Sequence, residues 1–505
     1  MTALRAAIAR HPRAALLLLL SMAAFVIRAP QFGNPVIQID EQFYLLVGDR
    51  MLHGTLPYVD IWDRKPIGLF AIFAACRLLG GDGIMQYQIV ATLFVGLTAY
   101  GVARLANRIA SESAAALAGL VYIAFLSANG GDGGQAPVFY NLLVVASAAS
   151  VARSFDARAA AKRGFGHGCA AMILMGIAIQ VKYSVIFEGA FFGLAMIVDV
   201  RRHGQRVATI LGSASVWILL AVVPTIGVAA FYAYLGHEQA FLFANFESVF
   251  QRPSVMGDEL RARLLRILWQ TAPIVSVAGA GCLHLVRNTP QAHRNVGRFF
   301  AGWAVVAVFA LLVFGTYHDH YALPILAPCA LAGSVVYDRR LILRSRMRPT
   351  GLYLGVAVLV AGLLIAANTI VRNRHNRGDG SAARAIAAYV KPRLTGCVFV
   401  FSGDPILYHF TDSCLPTAYA FTTFLSESRE ASSLGVDQVT ELKRVMDAKP
   451  SLVISRSPAS FPEASPAAWA YIEPILQRDY RVAMTRQVGN KVQVVYQRRA
   501  VANPH

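Results

Sequence analysis

A carboxylate pair and a lysine are the residues of this sequence whose types and spacing best suit chemistry. Asp40-Glu41 stands where one apolar run ends, and Lys65-Pro66 stands where another begins. A carboxylate can take a proton from a hydroxyl group, and a nearby cation can hold an anionic leaving group such as a phosphate. Charges this close to long apolar runs are costly unless they face water or a partner, so they are functional candidates.

The spacing of this stretch resembles a known family. Its shared positions are the Asp40-Glu41 pair, followed by Tyr44, Gly48, Gly54, Pro57-Tyr58 and Asp63-x-Lys65-Pro66-x-Gly68. They resemble the GT-C membrane glycosyltransferases that use polyprenyl-phosphate sugars: protein O-mannosyltransferases, lipid A aminoarabinose transferases and Rgt-type lipid A galacturonosyltransferases. The resemblance implies that Asp40 is the general base. We predict that Glu41 orients it or contacts the acceptor, and that Lys65 binds the donor phosphate. Alternatively, Asp40-Glu41 only caps an interfacial helix and Lys65 is a snorkelling lysine.

A second motif, "HDHYALPILAP", resembles the His-Tyr-x-x-Pro segment at the outer end of a late transmembrane helix in the same family. His320 and Tyr321 are therefore predicted to donate hydrogen bonds to the lipid phosphate. A polar helix end with an interfacial tyrosine is the alternative. A metal site at His318, Asp319 and His320 is a weaker hypothesis, because three adjacent residues do not converge easily on one ion.

Other polar residues at the ends of apolar runs complete the predicted site. Asp132 lies in "NGGDGGQAP", whose glycines let the backbone approach a ligand, and related transferases carry an acidic residue in this loop. Lys182, Arg252 and Arg261 each suit either a phosphate or anionic acceptor, or a role as an interface anchor. Asp40 and Asp132 together could bind a divalent cation, but no DxD-type pair is present. We expect chemistry without a metal or cofactor.

Composition indicates a membrane protein rather than a soluble one. Of the 505 residues, 56% are hydrophobic and 15% are charged. The formal net charge of +19 does not predict nucleic-acid binding, because the basic residues fall in short clusters between apolar runs. That distribution is typical of cytoplasmic loops facing anionic lipid.

Loop charge predicts how the chain crosses the membrane. Runs long enough to cross span roughly 14–29, 85–104, 113–128, 136–152, 167–182, 184–200, 208–235, 265–286, 299–315, 321–337 and 351–371. Residues 67–79 are taken as an interfacial or re-entrant helix, since every strongly basic loop then falls on the side of the basic N-terminus. About eleven crossings result, with the N-terminus and loop 153–166 cytoplasmic. The polar segments 40–65, 80–83, 235–259 and 315–328, and Asp132, fall on the outer face.

The composition changes after residue 371. We predict a transmembrane domain, 1–371, whose first outer loop, 30–84, holds interfacial helices, and a small extracytoplasmic α/β domain, 372–505. In the second, "SAARAIAAYVKPRL" and "PAAWAYIEPILQ" predict helices, whereas "GCVFVFS", "SLVIS", "YRVAMTRQ" and "KVQVVYQRR" predict strands, the last two joined at Gly489-Asn490. Cys397 and Cys414, the only cysteines of this domain, are predicted to form a disulfide.

The sequence thus predicts a polytopic α-helical protein of the bacterial inner membrane with a periplasmic α/β domain. Its predicted function is inverting transfer of a sugar from a polyprenyl-phosphate donor to an envelope acceptor, which is lipid A or another glycan, a lipid, or a protein. Its predicted partners are the donor, the acceptor and membrane lipids, without nucleic acid. The alternatives are a flippase or transporter of polyprenyl-linked glycans, and a glycan ligase. A transporter typically shows internal symmetry and ionisable residues within its spans, which this sequence does not.

Overall fold

The computed structural model describes residues 10–156, 161–254, 256–338, 341–343, 346–348, 350–457 and 461–500. Its α-helices in chain order are α1 Pro12–Arg28, α2 Ile39–Met51, α3 Ile67–Arg77, α4 Ile84–Ala106, α5 Glu112–Ala128, α6 Ala136–Asp156, α7 Ala161–Ile179, α8 Ile186–Arg202, α9 Val207–Tyr234, α10 Glu238–Leu242, α11 Ser248–Gln251, α12 Gly257–Arg287, α13 Arg294–Phe314, α14 Leu323–Tyr337, α15 Thr350–Arg377, α16 Ser381–Val390, α17 Ile406–Phe410, α18 Gln438–Asp447 and α19 Pro466–Asp479. Its strands are β1 Leu341–Leu343, β2 Arg346–Arg348, β3 Phe399–Val400, β4 Leu452–Ser457, β5 Tyr480–Val488 and β6 Lys491–Arg498.

Helices account for every predicted apolar run. Within the described part of the chain, eight helices are long and apolar enough to cross a membrane. The runs 113–128 and 167–182 correspond to shorter apolar helices, and 265–286 lies within the 31-residue α12. The polytopic helical fold is thus confirmed. The side on which each loop lies stays a prediction, and the cytoplasmic loop 153–166 falls partly outside the described residues.

The chain divides into two compact units that interleave along the sequence. The helical unit comprises Met1–Phe32, Gln88–Gly227 and Val255–Ile370. The mixed unit comprises Gly33–Tyr87, Val228–Ser254 and Val371–His505. The stretch around Asp40 and the C-terminal segment therefore belong to one compact unit. The division into domains 1–371 and 372–505 stays a prediction.

The helical unit has a buried centre and an apolar surface. Fourteen of the fifteen residues of α14 are buried, whereas α9 exposes large apolar side chains such as Leu211, Ile218 and Leu219. Exposed apolar surface of this extent is what a lipid-facing helix presents. One buried polar pair inside the unit joins Trp303 and Glu188, where Trp303 Nε1 donates to the glutamate at 2.8 Å.

In the mixed unit, α2 packs closely against α3. A Cβ atom at Gly48 would lie 2.6 Å from the backbone nitrogen of Ala74, so the approach of the two helices requires glycine there. Aromatic rings fill the same interface, where Tyr44 meets Phe73 at 5.6 Å between ring centres. This packing holds in place the helix whose first turn carries Asp40-Glu41.

The C-terminal segment forms the sheet that its sequence predicts. The strand order is β3-β4-β6-β5, with β3 and β4 parallel and the other pairs antiparallel. The predicted helices and strands correspond to α16, α19, β3, β4, β5 and β6, and β5 and β6 form the predicted hairpin. The Cys397–Cys414 disulfide is present, which confirms that prediction.

Candidate functional site

The first turn of α2 carries the predicted base. Asp40 and Glu41 lie there, where the helix dipole favours negative charge, and Asp40 is partly exposed. Tyr44 follows Asp40 by four residues and therefore shares its face of the helix. The Nζ atom of Lys65 lies 5.7 Å from the centre of the Tyr44 ring. Lys65 thus approaches the α2 face that carries Asp40.

Glu41 occupies a different environment from its neighbour. Its side chain is fully buried, and its Oε2 atom accepts a hydrogen bond of 3.3 Å from the Tyr87 hydroxyl. An enclosed carboxylate touches no ligand that arrives from solvent. Of the two roles predicted for Glu41, the burial favours orientation of the first helical turn over contact with an acceptor.

A tight turn before α3 positions Lys65. The Asp63 carboxylate accepts hydrogen bonds from the backbone nitrogens of Arg64, at 2.5 Å, and Lys65, at 3.2 Å. The Tyr58 hydroxyl donates to the Lys65 carbonyl at 2.8 Å. The Lys65 ammonium lies 3.5 Å from Asp63 and keeps about a third of its side chain exposed, at 31%. The turn therefore fixes the lysine backbone while its charged end stays accessible.

The last turn of α2 is anchored by an ionic cluster. Asp49 accepts a hydrogen bond from Arg77 Nε at 2.7 Å, and His409 Nδ1 lies 3.5 Å away. Hydrogen bonding from His409, together with Arg77, holds the pKa of Asp49 well below its ordinary value. The C-terminal part of α2 is thus fixed both by the close packing at Gly48 and by these charges.

Arg252, predicted as a phosphate ligand, lies in an ion-pair cluster of the mixed unit. It pairs with Glu430, which also lies 2.8 Å from Arg64 Nη1. Burial acts to raise the pKa of Glu430, but the charges of the two arginines outweigh it and hold that pKa below its ordinary value. A carboxylate clamped by two arginines gives Arg252 a structural partner.

In the helical unit, Asp132 lies in a loop that α1 holds in place. Asp132 is almost completely buried and accepts a 2.7 Å hydrogen bond from Gln31 Nε2. The buried guanidinium of Arg28 donates to the carbonyls of Gly131 and Gly133, on either side of Asp132, the second at 2.6 Å. Its Nε atom donates to Thr92 Oγ1 at 2.9 Å. Arg28 therefore fixes the backbone that presents Asp132.

Sequence reasoning missed Arg28. An arginine at the end of a first hydrophobic helix usually anchors that helix at the membrane interface. Only the contacts across 103 and 105 residues of sequence reveal its role. The sequence offered one signal: Arg28 is the only charged residue in the first apolar run, 14–29.

A second cationic group in the helical unit surrounds the "HDHY" segment. The Nζ atom of Lys182 lies 4.7 Å from the centre of the Tyr321 ring. The centres of the His320 and Tyr321 rings lie 4.9 Å apart. The rings of His318 and His320 stack at 5.8 Å, and Arg263 Nη1 lies 3.2 Å from His318 Nε2. Lys182, His320 and Tyr321 are therefore brought together, as a phosphate site requires.

The predicted residues thus fall into two sets, each within one unit. Asp40, Glu41, Lys65 and Arg252 belong to the mixed unit; Asp132, Lys182, His320 and Tyr321 belong to the helical unit. Arg261 is an exposed residue of α12. Among the residues that the structure describes, no three His, Cys, Asp or Glu side chains group closely enough to hold a metal ion. The roles of all these residues stay predictions.

Comparison with known proteins identifies the fold. No protein-family model matches the chain, and no curated protein matches it. ArnT from Cupriavidus metallidurans bound to undecaprenyl phosphate matches with a TM-score of 0.64 at 15% identity, over 98% of this chain and 100% of that chain. The same protein in the apo state matches with a TM-score of 0.64 at 15% identity, over 95% and 98%.

An archaeal protein shares the architecture more distantly. The oligosaccharyltransferase AglB from Archaeoglobus fulgidus, in complex with an inhibitory peptide and a dolichol-phosphate, matches with a TM-score of 0.55 at 9% identity. The match covers 89% of this chain and 70% of that chain. The predicted fold is therefore confirmed as one that this chain shares with ArnT and AglB, and at these identities the likeness concerns the fold alone.

Proposed function

We propose that this protein is an inverting glycosyltransferase that moves a sugar from a polyprenyl-phosphate donor to an acceptor of the bacterial cell envelope. One observation carries the proposal: Lys65 approaches the α2 face that bears Asp40, so a carboxylate and a cation lie on the same side of that helix. The fold supports it, because ArnT shares that fold and was crystallised with undecaprenyl phosphate.

The proposed reaction is a single displacement. Asp40 takes the proton of an acceptor hydroxyl as its oxygen forms a bond to the anomeric carbon. The bond from that carbon to the phosphate oxygen breaks, and its electron pair leaves with the polyprenyl phosphate. Attack and departure occur on opposite faces, so the anomeric configuration inverts, because no enzymic nucleophile intervenes.

Lys65 is the proposed ligand of the departing phosphate in the mixed unit. Its ammonium is partly exposed and is held at a helix start, where a point charge can stabilise developing negative charge. Glu41 keeps the first turn of α2 in place through its buried contact with Tyr87. A lipid phosphate is already a good leaving group, so we propose that the transfer needs no metal or cofactor.

The residues of the helical unit are proposed as further ligands of donor or lipid phosphate. Lys182, His320 and Tyr321 lie together and offer three donors to an anion. We propose a second acidic function for Asp132 on its fixed loop. Arg252 was predicted as a phosphate ligand, but we now propose that it stabilises the mixed unit through Glu430.

We place the protein in the bacterial inner membrane with its C-terminal segment in the periplasm. Loop charge supports this orientation, and a lipid-carried donor suits a face where nucleotide sugars are absent. The acceptor is proposed as lipid A or another envelope glycan, a lipid or a protein.

The test is a transfer assay with the purified full chain in detergent micelles. A polyprenyl-phosphate sugar with a labelled sugar is supplied with an envelope-lipid extract, with and without EDTA. We expect labelled acceptor and released polyprenyl phosphate, unchanged by EDTA. Micelles have no two compartments, so a flippase would bind the donor and form no product. Binding without transfer would overturn the proposal, and loss of transfer in EDTA would overturn its metal-free form.

A further inference from the structure

The mixed unit contains a polar cavity that the proposed chemistry does not use. Its volume is about 260 Å³, and residues of α2, β4, β6 and the loop after β3 line it. Sites for drug-sized ligands usually measure roughly 300–1,000 Å³. The cavity therefore suits one small ring with its substituents and not a lipid chain.

The charges that line this cavity are mixed, with cations in excess. Arg377, Arg456 and Lys491 contribute three positive charges, against the carboxylates of Asp404 and Glu427. Hydroxyl groups complete the lining, from Ser402, Thr422, Thr423 and Ser426. Cations suit a phosphate or carboxylate, whereas carboxylates and hydroxyls suit the several hydroxyl groups of a sugar.

Hydrogen bonds from buried side chains hold one carboxylate of the cavity, that of Asp404, in a fixed position. Asp404 accepts hydrogen bonds from Gln42 Nε2 at 3.2 Å and Gln493 Nε2 at 2.7 Å. The side-chain oxygen of Gln42, Oε1, in turn accepts a hydrogen bond from the backbone nitrogen of Ile406 at 3.3 Å. Gln42 and Gln493 are both nearly fully buried. Two buried amides thus orient one carboxylate of the lining.

An aromatic ring adds an apolar surface at the same place. The guanidinium carbon of Arg456 lies 3.9 Å from the centre of the Phe461 ring, and both residues line the cavity. Contact with the ring stabilises the position of the arginine, whose planar guanidinium keeps donors for an anion. Polar groups beside an aromatic face suit a ring that has both hydroxyl groups and C–H faces.

The position of the cavity connects it to the candidate base. Ile39 and Gln42 line it and flank Asp40-Glu41 in the sequence. Three residues apart, they lie on one face of α2, while Asp40 and Tyr44 lie on another. A molecule anchored by one sugar in the cavity therefore has its next groups close to the first turn of α2.

We infer that this cavity is the acceptor-anchoring subsite, and that it binds a sugar bearing a phosphate or a carboxylate. That the bound sugar belongs to the acceptor rests on the proposed glycosyl transfer. That the cavity binds an anionic sugar does not depend on it. The cavity holds the anionic sugar, and a hydroxyl group of the adjoining part of the acceptor reaches Asp40.

Direct binding tests the inference without turnover. The purified full chain in detergent is titrated with glucose 1-phosphate, glucuronate, glucose and inorganic phosphate. We expect saturable binding of the two anionic sugars, at least about tenfold tighter than glucose or inorganic phosphate. Equal binding of inorganic phosphate and glucose 1-phosphate would overturn recognition of the sugar. Absence of saturable binding by both anionic sugars would overturn the subsite.

Two variants locate the binding. Lys491→Gln removes a cation of the cavity, and Thr423→Val removes a hydroxyl group at nearly constant volume. We expect each to weaken glucose 1-phosphate binding by about fivefold to twentyfold. Lys443→Gln, an exposed residue of α18, removes the same charge outside the cavity and should bind as wild type does. Equal affinities in Lys491→Gln, Thr423→Val and Lys443→Gln proteins would overturn the assignment to this cavity.

The transfer assay separates this inference from the proposed function. If wild type transfers sugar, Lys491→Gln should raise the KM for the envelope acceptor and leave the KM for the lipid donor unchanged. An unchanged acceptor KM alongside active transfer would refute the subsite alone. Anionic-sugar binding that depends on Lys491, in a wild-type protein without transfer, would refute the proposed transfer and keep the site.

Discussion

Two acidic residues predicted for the same site lie in contrasting local structures. Asp132, in the helical unit, is buried on a loop whose flanking carbonyls are held by Arg28, and Gln31 donates to its carboxylate. Asp40, in the mixed unit, is partly exposed on the first turn of a helix and shares a face with Tyr44. One carboxylate is fixed by the chain itself, whereas the other is accessible from outside the protein.

The same contrast recurs between two glutamates three residues apart. Glu430 is clamped by Arg64 and Arg252, and its pKa lies below the ordinary value. Glu427 lines the cavity, and burial, with neighbouring acidic groups, raises its pKa to about 7. Fixed carboxylates stabilise the fold, and accessible ones are where a ligand or proton acts. Substitutions should therefore divide into losses of stability and losses of activity or proton response.

The largest expected effect is on activity, at Asp40. Asp40→Asn keeps the size of the side chain but removes its ability to take a proton, so turnover should fall about 10²–10⁴-fold. That loss is about 3–5 kcal/mol of barrier. The melting temperature and donor binding should stay as in wild type. Turnover is measured in the micelle transfer assay, and melting in the same detergent.

Glu41→Gln serves as the matched comparison for Asp40→Asn. Its carboxylate is buried against Tyr87, so we expect a smaller loss of turnover. A capping role for Asp40 makes the opposite prediction, because asparagine caps helices about as well as aspartate. Turnover of Asp40→Asn within a few-fold of wild type would therefore identify Asp40 as structural.

The next effect is on stability, at Arg28. Arg28→Lys keeps the charge but loses the planar fork that reaches the Gly131 and Gly133 carbonyls and Thr92 together. Buried acceptors left without donors should reduce the free energy of unfolding by about 2–4 kcal/mol. Melting in detergent measures this loss. Arg104→Lys, an exposed residue of α4, is the control and should melt with wild type.

A melting temperature of Arg28→Lys equal to that of Arg104→Lys would contradict the claim that Arg28 fixes the loop of Asp132. Asp132 and Asp40 would then no longer differ as a fixed and an accessible acid. A lowered melting temperature with full activity would show that the loop is structural only. Lowered activity at a temperature where the variant remains folded would connect the loop geometry to Asp132.

The sequence predicted local structure well and long-range pairing poorly. The helices α2 and α3, the β5–β6 hairpin and the eleven apolar runs follow from periodicity and turn residues, which are local signals. Helix α18, capped by Asp437 accepting from the Thr440 nitrogen at 2.8 Å, was not predicted, although its cap is a local signal as well.

The long-range contacts that fix the acidic residues were not predicted from the sequence. Arg28 reaches a loop more than 100 residues later, and Arg64 meets Glu430 in the C-terminal segment. No local pattern indicates such partners, because any of many acids and carbonyls satisfies an arginine. The sequence could thus nominate Asp40 and Lys65 from a motif. It could not show that Arg252 forms an ion pair with Glu430, whereas Lys65 remains a proposed ligand.

Lys65 tests whether the solvent-accessible residues near Asp40 act in the reaction. Lys65→Ala should reduce turnover at subsaturating donor by about tenfold to a hundredfold, as a charged hydrogen bond of about 1.5–3 kcal/mol is lost. Lys65→Arg should keep part of the activity, since a guanidinium partly replaces the charge. The control is Lys443→Ala. Turnover of Lys65→Ala equal to that of the control would remove Lys65 from the phosphate site.

The smallest effect is a pH dependence that separates Glu427 from Glu430. The raised pKa of Glu427, about 7 against 4.5, means that the folded protein keeps a proton that the unfolded chain releases. Stability from this group is therefore complete below pH 4.5, falls as pH rises to about 7, and is then constant. The lowered pKa of Glu430 acts oppositely and below about pH 4.5.

Glu427→Gln should remove the fall, because glutamine resembles the protonated acid at every pH. The variant should melt with wild type at pH 5 and be more stable at pH 8 by on the order of 1–2 kcal/mol, after allowance for solvent in the cavity. Glu473→Gln, an exposed residue of α19, is the charge-matched control and should follow wild type at both pH values. Parallel melting curves for wild type and Glu427→Gln from pH 5 to 8 would mean that Glu427 is held as firmly as Glu430, and the distinction between fixed and accessible acids would not extend to the cavity.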